Sequence, residues 1–325
     1  MLKHVGIAVL VSTMLAGAAR ADFPVSIPHA FGTTDVPARP DRVVSISLIG
    51  HDFLLALGVT PIALRKWYGT DPYGVWPWAQ DDLGDATPVV MQGEIDVEQI
   101  ALLKPDLIIA QWSGMSQSEY RILSMIAPTL GPKPGAGDYG TPWQDMLRRI
   151  GMATGTLDQA EEIVSGLDNR FAEFRDSQSN WQGTTATMAW SGSVGAYTRH
   201  DLRGQFLEAL GFVIPQAIED LAGSNEFYAT IAAEDYSPLD VDALFWLDTG
   251  GQAAKLQALP LRFTTRAYHE GREIHIDPLL SAALSHSSPQ SLHFALDAVV
   301  PLIEAAMDGD PATPVPTSLA AGIAP

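Results

Sequence analysis

The densest group of chemically distinctive side chains is aromatic and lies in one stretch. The segment KWYGTDPYGVWPWAQ, residues 66–80, places aromatic rings among glycines and prolines that interrupt regular structure: Trp67, Tyr68, Tyr73, Trp76 and Trp78. Rings this dense in a loop are unfavourable in water, and such rings often line ligand sites. The alternative is that two or three of them pack beneath the loop as a satellite core. We expect at least two to face a ligand.

A second loop, SGSVGAYTRHDLRG at residues 191–204, combines aromatic and basic side chains. Tyr197, Arg199 and Arg203 are notable there because the chain has 19 basic residues against 38 acidic ones. An arginine beside an aromatic ring can hydrogen-bond an anionic or metal-chelating oxygen. A surface salt bridge with one of the many acids is the competing interpretation, and both remain open.

The sequence motifs of common catalytic sites are missing. There is no Walker loop, no H-E-x-x-H and no G-x-S-x-G. Residues 135–140 match G-x-G-x-x-G by letter, but no strand precedes them, so we interpret a loop. The histidines are scattered, and the chain has no cysteine, which excludes disulfides and thiolate chemistry. The sequence therefore predicts no catalytic residue, no metal site and no cofactor, and it indicates that the protein is not an enzyme.

One long amphipathic helix is predicted over residues 156–178. Apolar side chains recur there at three- and four-residue spacing: Ala160, Ile163, Val164, Leu167, Phe171 and Phe174. Thr156 and Gln159 fit a capping box at its start. At about 1.5 Å per residue the helix spans roughly 30 Å, the width of a small domain.

The segments on either side of this helix share one pattern. VVSIS (43–47) leads to LLALGVTP (54–61), and ATMAW (186–190) leads to QFLEALGFVIP (205–215). Glu98 lies eight residues before Asp106, and Glu234 lies eight before Asp242, each pair opening onto a short apolar run. Such repetition indicates two related lobes. The predicted fold is α/β, with two Rossmann-like lobes (22–155 and 179–307) that have mostly parallel sheets and are bridged by the one helix.

The two ends of the chain differ in composition from the rest. Residues 1–21 match a secretory signal peptide, with a polar start, an apolar run over 5–15 and an A-x-A site before Asp22. That run is about half of the roughly 20 residues that span a bilayer. Without a cysteine to carry a lipid, we expect a freely diffusing periplasmic protein with no membrane anchor. The Pro- and Ala-rich segment 308–325 is expected to be disordered.

The acidic balance limits the classes of partner. The formal net charge of −19 argues against binding to nucleic acid, which needs a basic face, and against docking on anionic lipid.

Several segments together resemble the periplasmic binding proteins of iron(III)-siderophore ABC importers, a class that also binds cobalamin and haem. They run from about residue 25 to 305: RVVSIS, LLALGVTPIAL, WYGTDPYGVWPWAQ, GEIDVEQIALLKPDLIIA, EYRILSMIAPTL, YGTPWQDMLRRIG, FYATIAAEDYSPLDVDALFWL and SSPQSLHFALD. The resemblance implies a monomer whose helix-bridged lobes hold the ligand between them with little hinge movement. It also implies that one glutamate on each lobe, Glu98 and Glu234 here, meets arginines of the permease.

The resemblance also implies a layout for the cleft. One wall would hold Trp67, Tyr68, Tyr73 and Trp112; the other would hold Tyr197, Arg199, Tyr228 and Trp246. Aromatic faces would cover the organic shell of the siderophore, which itself fills the coordination sphere of iron. The scarcity of basic residues near these loops favours a hydroxamate or mixed-ligand siderophore over a tris-catecholate.

Two alternatives remain open. A haem or cobalamin binding protein of the same class would use similar aromatic walls, with Tyr68 or Tyr73 as an axial ligand to haem. An exported metal-dependent enzyme on a similar scaffold is the alternative from another class.

Overall fold

The computed structural model describes residues 23–178, 181–250 and 253–323; the expected signal peptide lies outside these residues. An antiparallel hairpin, β1 (Val25–His29) and β2 (Gly32–Val36), leads into the amino-terminal half, residues 23–155. Its sheet has the order β5-β4-β3-β6-β7, and all its strands are parallel. The elements of this half are β3 (Val43–Ser45), α1 (Gly50–Ala56), β4 (Ala63–Lys66), α2 (Gln80–Leu83), β5 (Val89–Gln92), α3 (Val97–Leu103), β6 (Leu107–Ile109), α4 (Gln117–Leu123), β7 (Thr129–Leu130) and α5 (Trp143–Thr154).

The long helix predicted from the apolar stripe is α6 (Leu157–Ser177). It buries the face that carries Ala160, Val164, Leu167 and Phe171. The predicted capping box is wrong. Helix α5 ends at Gly155 in a left-handed turn that brings Thr154 beside Thr156, and the two hydroxyl oxygens lie 2.8 Å apart. The Gln159 amide instead donates to the carbonyl oxygen of Ala56 at 3.1 Å.

The carboxy-terminal half, residues 181–323, contains the second sheet, of order β10-β9-β8-β11-β12. Strand β11 pairs in parallel with both β8 and β12. At the opposite edge, β9 pairs antiparallel with both β8 and β10. The predicted α/β class is confirmed, with an all-parallel sheet in the first half and a mixed sheet in the second. The elements of this half are β8 (Ala186–Trp190), β9 (Gly195–Tyr197), α7 (Leu202–Ala209), α8 (Gln216–Ala222), β10 (Tyr228–Thr230), β11 (Ala243–Leu247), α9 (Ala253–Gln257), α10 (Arg266–His269), β12 (Glu273–Ile276), α11 (Pro278–His286), α12 (Pro289–Ala306) and α13 (Pro316–Ala320).

The repeated aspartates have equivalent places in the two halves. The carboxylate of Asp106 accepts hydrogen bonds from the backbone N–H groups of Asp41 and Arg42, both at 2.8 Å, just before β3. The carboxylate of Asp242 accepts from the backbone N–H and hydroxyl of Thr185, at 2.8 and 2.7 Å, just before β8. Each aspartate therefore fastens the entry of the central strand to the strand beside it.

The carboxy-terminal tail is ordered up to residue 323, contrary to the expectation from composition. The Ser318 hydroxyl donates to the carbonyl of Glu273 at 2.7 Å and accepts from the backbone N–H of His275 at 2.9 Å. Val315 and Ile323 are buried. Strand β12 is a sheet edge whose backbone groups need partners, and the tail supplies partners for two of them.

A buried carboxylate joins the two halves. Asp52 on α1 is fully buried, and its Oδ2 accepts from the indole N–H of Trp78 at 2.7 Å and from the Ser288 hydroxyl at 2.9 Å. Ser288 is the N-cap of α12, an 18-residue helix. The negative charge therefore lies at the positive end of a long helix dipole, which stabilises it.

His286, at the end of α11, enters the aromatic loop of the other half. Its ring centroid lies 5.4–5.9 Å from four rings of that loop: Trp67, Tyr68, Trp76 and Trp78. Much of the loop thus packs across the junction, as the satellite-core alternative anticipated. Burial lowers the pKa of His286 to about 4, against a smaller opposing effect of Asp52.

This burial predicts an acid sensitivity that one substitution removes. Between pH 6.5 and about 4 the unfolded chain binds a proton at His286 that the folded chain does not bind, so stability falls as pH falls. From pH 7 to pH 5 the loss is about 2 kcal/mol. His286→Gln should reduce the difference between the unfolding free energies at the two pH values by that amount, measured by urea unfolding. The same substitution at exposed His200 is the control. An unchanged difference in His286→Gln would contradict the prediction.

Candidate ligand-binding site

A cavity of about 260 Å³ lies between the two halves, and both contribute to its walls. The amino-terminal half supplies Leu48, Trp67, Trp112 and Tyr139, and the carboxy-terminal half supplies Tyr197, Asp201, Arg203, Phe227 and Tyr228. Six of these nine side chains are aromatic. Such a site can cover the faces of an organic ligand while the few polar groups orient it.

The amino-terminal wall lies at the carboxyl ends of parallel strands, where open α/β sheets place their ligands. Leu48 follows β3, Trp67 follows β4, and Trp112 follows β6. Trp112 has a left-handed backbone (φ 57°) and is only 5% exposed. Its ring meets that of Trp67 edge to face at a centroid distance of 5.1 Å. The two indoles therefore hold each other in place.

Tyr139 closes one side of the cavity from the glycine-rich loop 131–140. Its carbonyl accepts the indole N–H of Trp112 at 2.8 Å, and the two rings pack at 4.9 Å. The Tyr139 ring also lies 6.2 Å from that of Phe227 in the other half. This contact connects the two walls, so their separation at this side is defined by packed aromatic rings.

The opposite wall is the antiparallel edge of the second sheet. Tyr197 of β9 and Tyr228 of β10 are directly paired. The ring of Trp190 supports both, at 4.8 Å from Tyr197 and 5.8 Å from Tyr228. Position 195 must be glycine, because a Cβ there would come within 2.1 Å of the Trp190 ring. Tyr228 is 44% exposed, so the cavity opens to solvent at its position.

An ion pair forms the polar part of this wall. Arg203, in the first turn of α7, donates from Nε and Nη2 to the two carboxylate oxygens of Asp201 at 2.6 and 2.7 Å. Its guanidinium carbon lies 3.7 Å from the centre of the Tyr197 ring. Burial alone would lower the pKa of Arg203, but Asp201 and Tyr197 outweigh it and raise the pKa. Arg203 is therefore always charged.

Tyr68 lies beside the cavity lining. Burial raises the pKa of its hydroxyl to about 12, against the opposing effect of a hydrogen bond with Ser285. The Ser285 hydroxyl also accepts from Nη1 of Arg203 at 3.3 Å. Tyr68 thus stays protonated at neutral pH and belongs to the polar layer beneath the wall.

The structure brings four of the eight predicted ligand-binding residues to the cavity: Trp67, Trp112, Tyr197 and Tyr228. Tyr68 packs on Trp67 and His286 behind it. Tyr73 does not line it, because a short 3-10 turn with φ 56° leaves its side chain 40% exposed elsewhere.

Two further predictions need correction. Arg199 does not line the cavity: its Nε lies 3.4 Å from Oε1 of Glu219, as the salt-bridge alternative proposed. Trp246 is fully buried in β11, where its indole N–H donates to Glu273 at 2.7 Å. Trp246 lies within β11, whereas Trp67 and Trp112 follow the ends of their strands. Every residue of β11 is buried, so the side chain of Trp246 packs in the core and not at the cavity.

Five lining residues were missing from the predicted set: Leu48, Tyr139, Asp201, Arg203 and Phe227. A signal existed for some of them. Tyr139 lies in a loop of glycines and prolines like that of the aromatic loop, and Phe227 precedes Tyr228. Arg203 had been noted in its loop, but nothing local distinguished it from Arg199.

Glu98 and Glu234 are both exposed, one on each half. Glu98 lies in the first turn of α3, whose N-cap is Asp96. Glu234 follows β10 and borders a second, acidic cavity of about 360 Å³ with Asp235 and Asp240.

Within residues 23–178, 181–250 and 253–323, no group of three or more His, Asp or Glu side chains is arranged to hold a metal ion. Among the helices of these same residues, none combines the length and apolarity that crossing a bilayer requires.

Known proteins with similar sequences indicate the family of this chain. Residues 43–279 match the profile of a family described as periplasmic binding protein. The probable siderophore-binding lipoprotein YfiY of Bacillus subtilis is 31% identical over 237 residues, which cover 71% of this chain and 70% of that protein. The ferric enterobactin-binding periplasmic protein FepB of Escherichia coli is 29% identical over 222 residues, with 65% and 68% covered.

Solved structures agree. A periplasmic solute binding protein from Mycobacterium smegmatis superposes with a TM-score of 0.77 at 33% identity, covering 87% of this chain and 98% of that one. PiaA of Streptococcus pneumoniae, solved with ferrichrome, shares the fold with a TM-score of 0.75 at 24% identity, covering 88% and 99%. The profile match spans both sheets and the helix between them. The chain therefore belongs to the periplasmic binding protein family.

Proposed function

We propose that this protein captures an iron(III)-siderophore complex between its two lobes and delivers it to an ABC permease of the inner membrane. The observation that carries the proposal is the aromatic cavity to which both halves contribute. The names of the relatives support the ligand class, because they include siderophore-binding, ferric enterobactin-binding and Fe(3+) dicitrate-binding proteins.

The cavity suits a metal that arrives already chelated. A siderophore fills the coordination sphere of iron and presents an organic shell to its surroundings. The rings of Trp67, Trp112 and Tyr228 would cover that shell, and N–H groups of Arg203 would donate to its oxygens. Iron would then have no protein ligand.

The junction between the halves favours binding with little rearrangement. The Asp52–Ser288 hydrogen bond and the packing of His286 join the two halves. These contacts would keep the walls near their ligand-bound positions before the ligand enters. A preformed site avoids much of the entropy loss of ordering side chains on binding. Lobes 22–155 and 179–307 would therefore move only slightly about helix α6.

Transport requires export and a membrane partner. Residues 1–21 would direct the chain to the periplasm, where it acts as a freely diffusing monomer. Glu98 and Glu234 would meet basic pockets of the permease, which sets the orientation of docking and the encounter rate.

A fluorescence titration tests the ligand. Ferric hydroxamate, catecholate and citrate complexes, haem and cobalamin would each be added to the mature protein, and quenching of its tryptophans followed. We expect saturable quenching at sub-micromolar concentration by a ferric chelate and none by its iron-free form. Quenching by haem or cobalamin alone would identify that compound as the ligand in place of a siderophore. No response to any compound would contradict the proposal.

Substitutions of two tyrosines of similar exposure test where the ferric chelate binds. Tyr228, 44% exposed, lies at the cavity, and Tyr73, 40% exposed, lies outside it. Tyr228→Ala should weaken binding of the ferric chelate about tenfold, as expected when a contacting aromatic ring is removed. Tyr73→Ala should leave the dissociation constant unchanged. Equal effects of the two substitutions would place the ligand elsewhere.

Charge reversal tests delivery. The double variant Glu98→Arg, Glu234→Arg should abolish siderophore-dependent iron uptake by cells that produce it, while the purified protein binds the chelate as before. The control reverses two exposed glutamates of the bridging helix, Glu162 and Glu173, and changes the net charge equally. Normal uptake by the first variant, or equal loss in both, would reject these docking residues.

A further inference from the structure

We propose that the cavity selects iron(III) chelates without net charge over polyanionic ones. This inference rests on the proposed function and names the charge class of its ligand. It derives from the charges that line the cavity, which cancel, and from the contacts of the nearby basic residues.

Among the residues that the structure describes, the cavity lining contains one cation and one anion, and they are already paired. Arg203 and Asp201 form a two-point ion pair at 2.6 and 2.7 Å, with side chains only 11% and 7% exposed. The other seven lining residues are apolar or aromatic. The cavity therefore has no surplus positive charge to offer an anion.

Two other arginines near the loops are paired with groups outside the cavity. Arg65 donates to the carbonyls of Gly93 and Ser113, both at 2.9 Å. Arg199 pairs with Glu219. Neither lines the cavity. The chain as a whole has a net charge of −19, so its field also repels an approaching polyanion.

The two kinds of chelate place different demands on such a site. Three singly charged hydroxamates neutralise iron(III), whereas three doubly charged catecholates leave a trianion. Removing a trianion from water is unfavourable unless cations replace its hydration, and here the one cation is neutralised. An uncharged chelate needs only aromatic contact and a few donors. After its bonds to Asp201 and Ser285, Arg203 still has one N–H on each Nη for that purpose.

The test compares two probes on the native protein and on variants. The probes are ferrichrome, an uncharged trihydroxamate chelate, and ferric enterobactin, a tris-catecholate trianion. Their shapes differ as well as their charges, so the decisive quantity is the change in the ratio of their dissociation constants. Asp201→Asn leaves the charge of Arg203 uncompensated while an amide oxygen can still cap α7. Arg203→Gln leaves the cavity negative instead.

We expect the native protein to bind ferrichrome at least tenfold more tightly. Asp201→Asn should move the ratio toward the trianion by about tenfold or more, and Arg203→Gln should move it the other way. Glu161→Gln, on the exposed face of the bridging helix, makes the same charge change as Asp201→Asn outside the cavity and should not move it. Circular dichroism would verify folding, and either cavity variant alone suffices if the other fails to fold.

The outcomes separate this inference from the proposed function. Native binding of the trianion as tight as that of ferrichrome would overturn the charge selection while the siderophore function stands. The charge selection would also be overturned if the ratio of the two dissociation constants did not change in the cavity variants, or if Glu161→Gln changed it equally. Binding of no iron(III) chelate would overturn both.

Discussion

The arrangement of the cleft depends on one buried carboxylate. Asp52 is wholly enclosed, and its charge is stabilised by the Trp78 indole, the Ser288 hydroxyl and the start of α12. Nε2 of His51 lies 3.5 Å from its other oxygen. Removing one partner of a buried charge typically lowers the free energy of unfolding by about 3–5 kcal/mol. Few substitutions of Asp52 or its partners should therefore be tolerated. The junction at Asp52 connects positions 236 residues apart in the chain.

The site follows from that junction. With α12 held at Asp52, the end of α11 places His286 among the rings of the aromatic loop, and Trp67 of that loop lines the cavity. On the other side, Ser285 beside His286 contacts Arg203. The two walls are thus positioned by the same contacts that join the halves. One continuous hydrophobic core, which includes Phe53, Leu167 and Leu296, extends from one half through α6 to the other.

The sequence predicted those features that depend on local pattern. The apolar stripe predicts α6. The repeated motif that contains Asp106 and Asp242 corresponds to two equivalent positions, where each aspartate accepts hydrogen bonds from the start of a central strand. Trp67 could be assigned to the site because it lies in the dense aromatic loop, and Trp112 because it follows an apolar run typical of a parallel strand. Tertiary packing decided the rest. The position of Trp246 depends on the partner of its indole N–H on the neighbouring strand, Glu273, which a single buried run does not reveal.

Arg199 and Arg203 illustrate the same limit. Both lie in one loop-to-helix segment, but α7 begins at Leu202, so Arg203 is held on a helix against Tyr197 while Arg199 meets Glu219. Composition likewise predicted a disordered tail, because it does not reveal that β12 is an edge strand. Residues that interact across long stretches of chain are the ones that sequence patterns miss.

The most direct test is a crystal structure of the protein with a bound ferric chelate, with anomalous scattering data at the iron edge. We expect one iron peak within the cavity between Trp67 and Tyr228, beyond metal-bonding distance of every protein atom. We also expect Asp52 to remain hydrogen-bonded to Ser288. An iron atom outside this cavity, or one coordinated directly by a tyrosine or carboxylate of the chain, would contradict it.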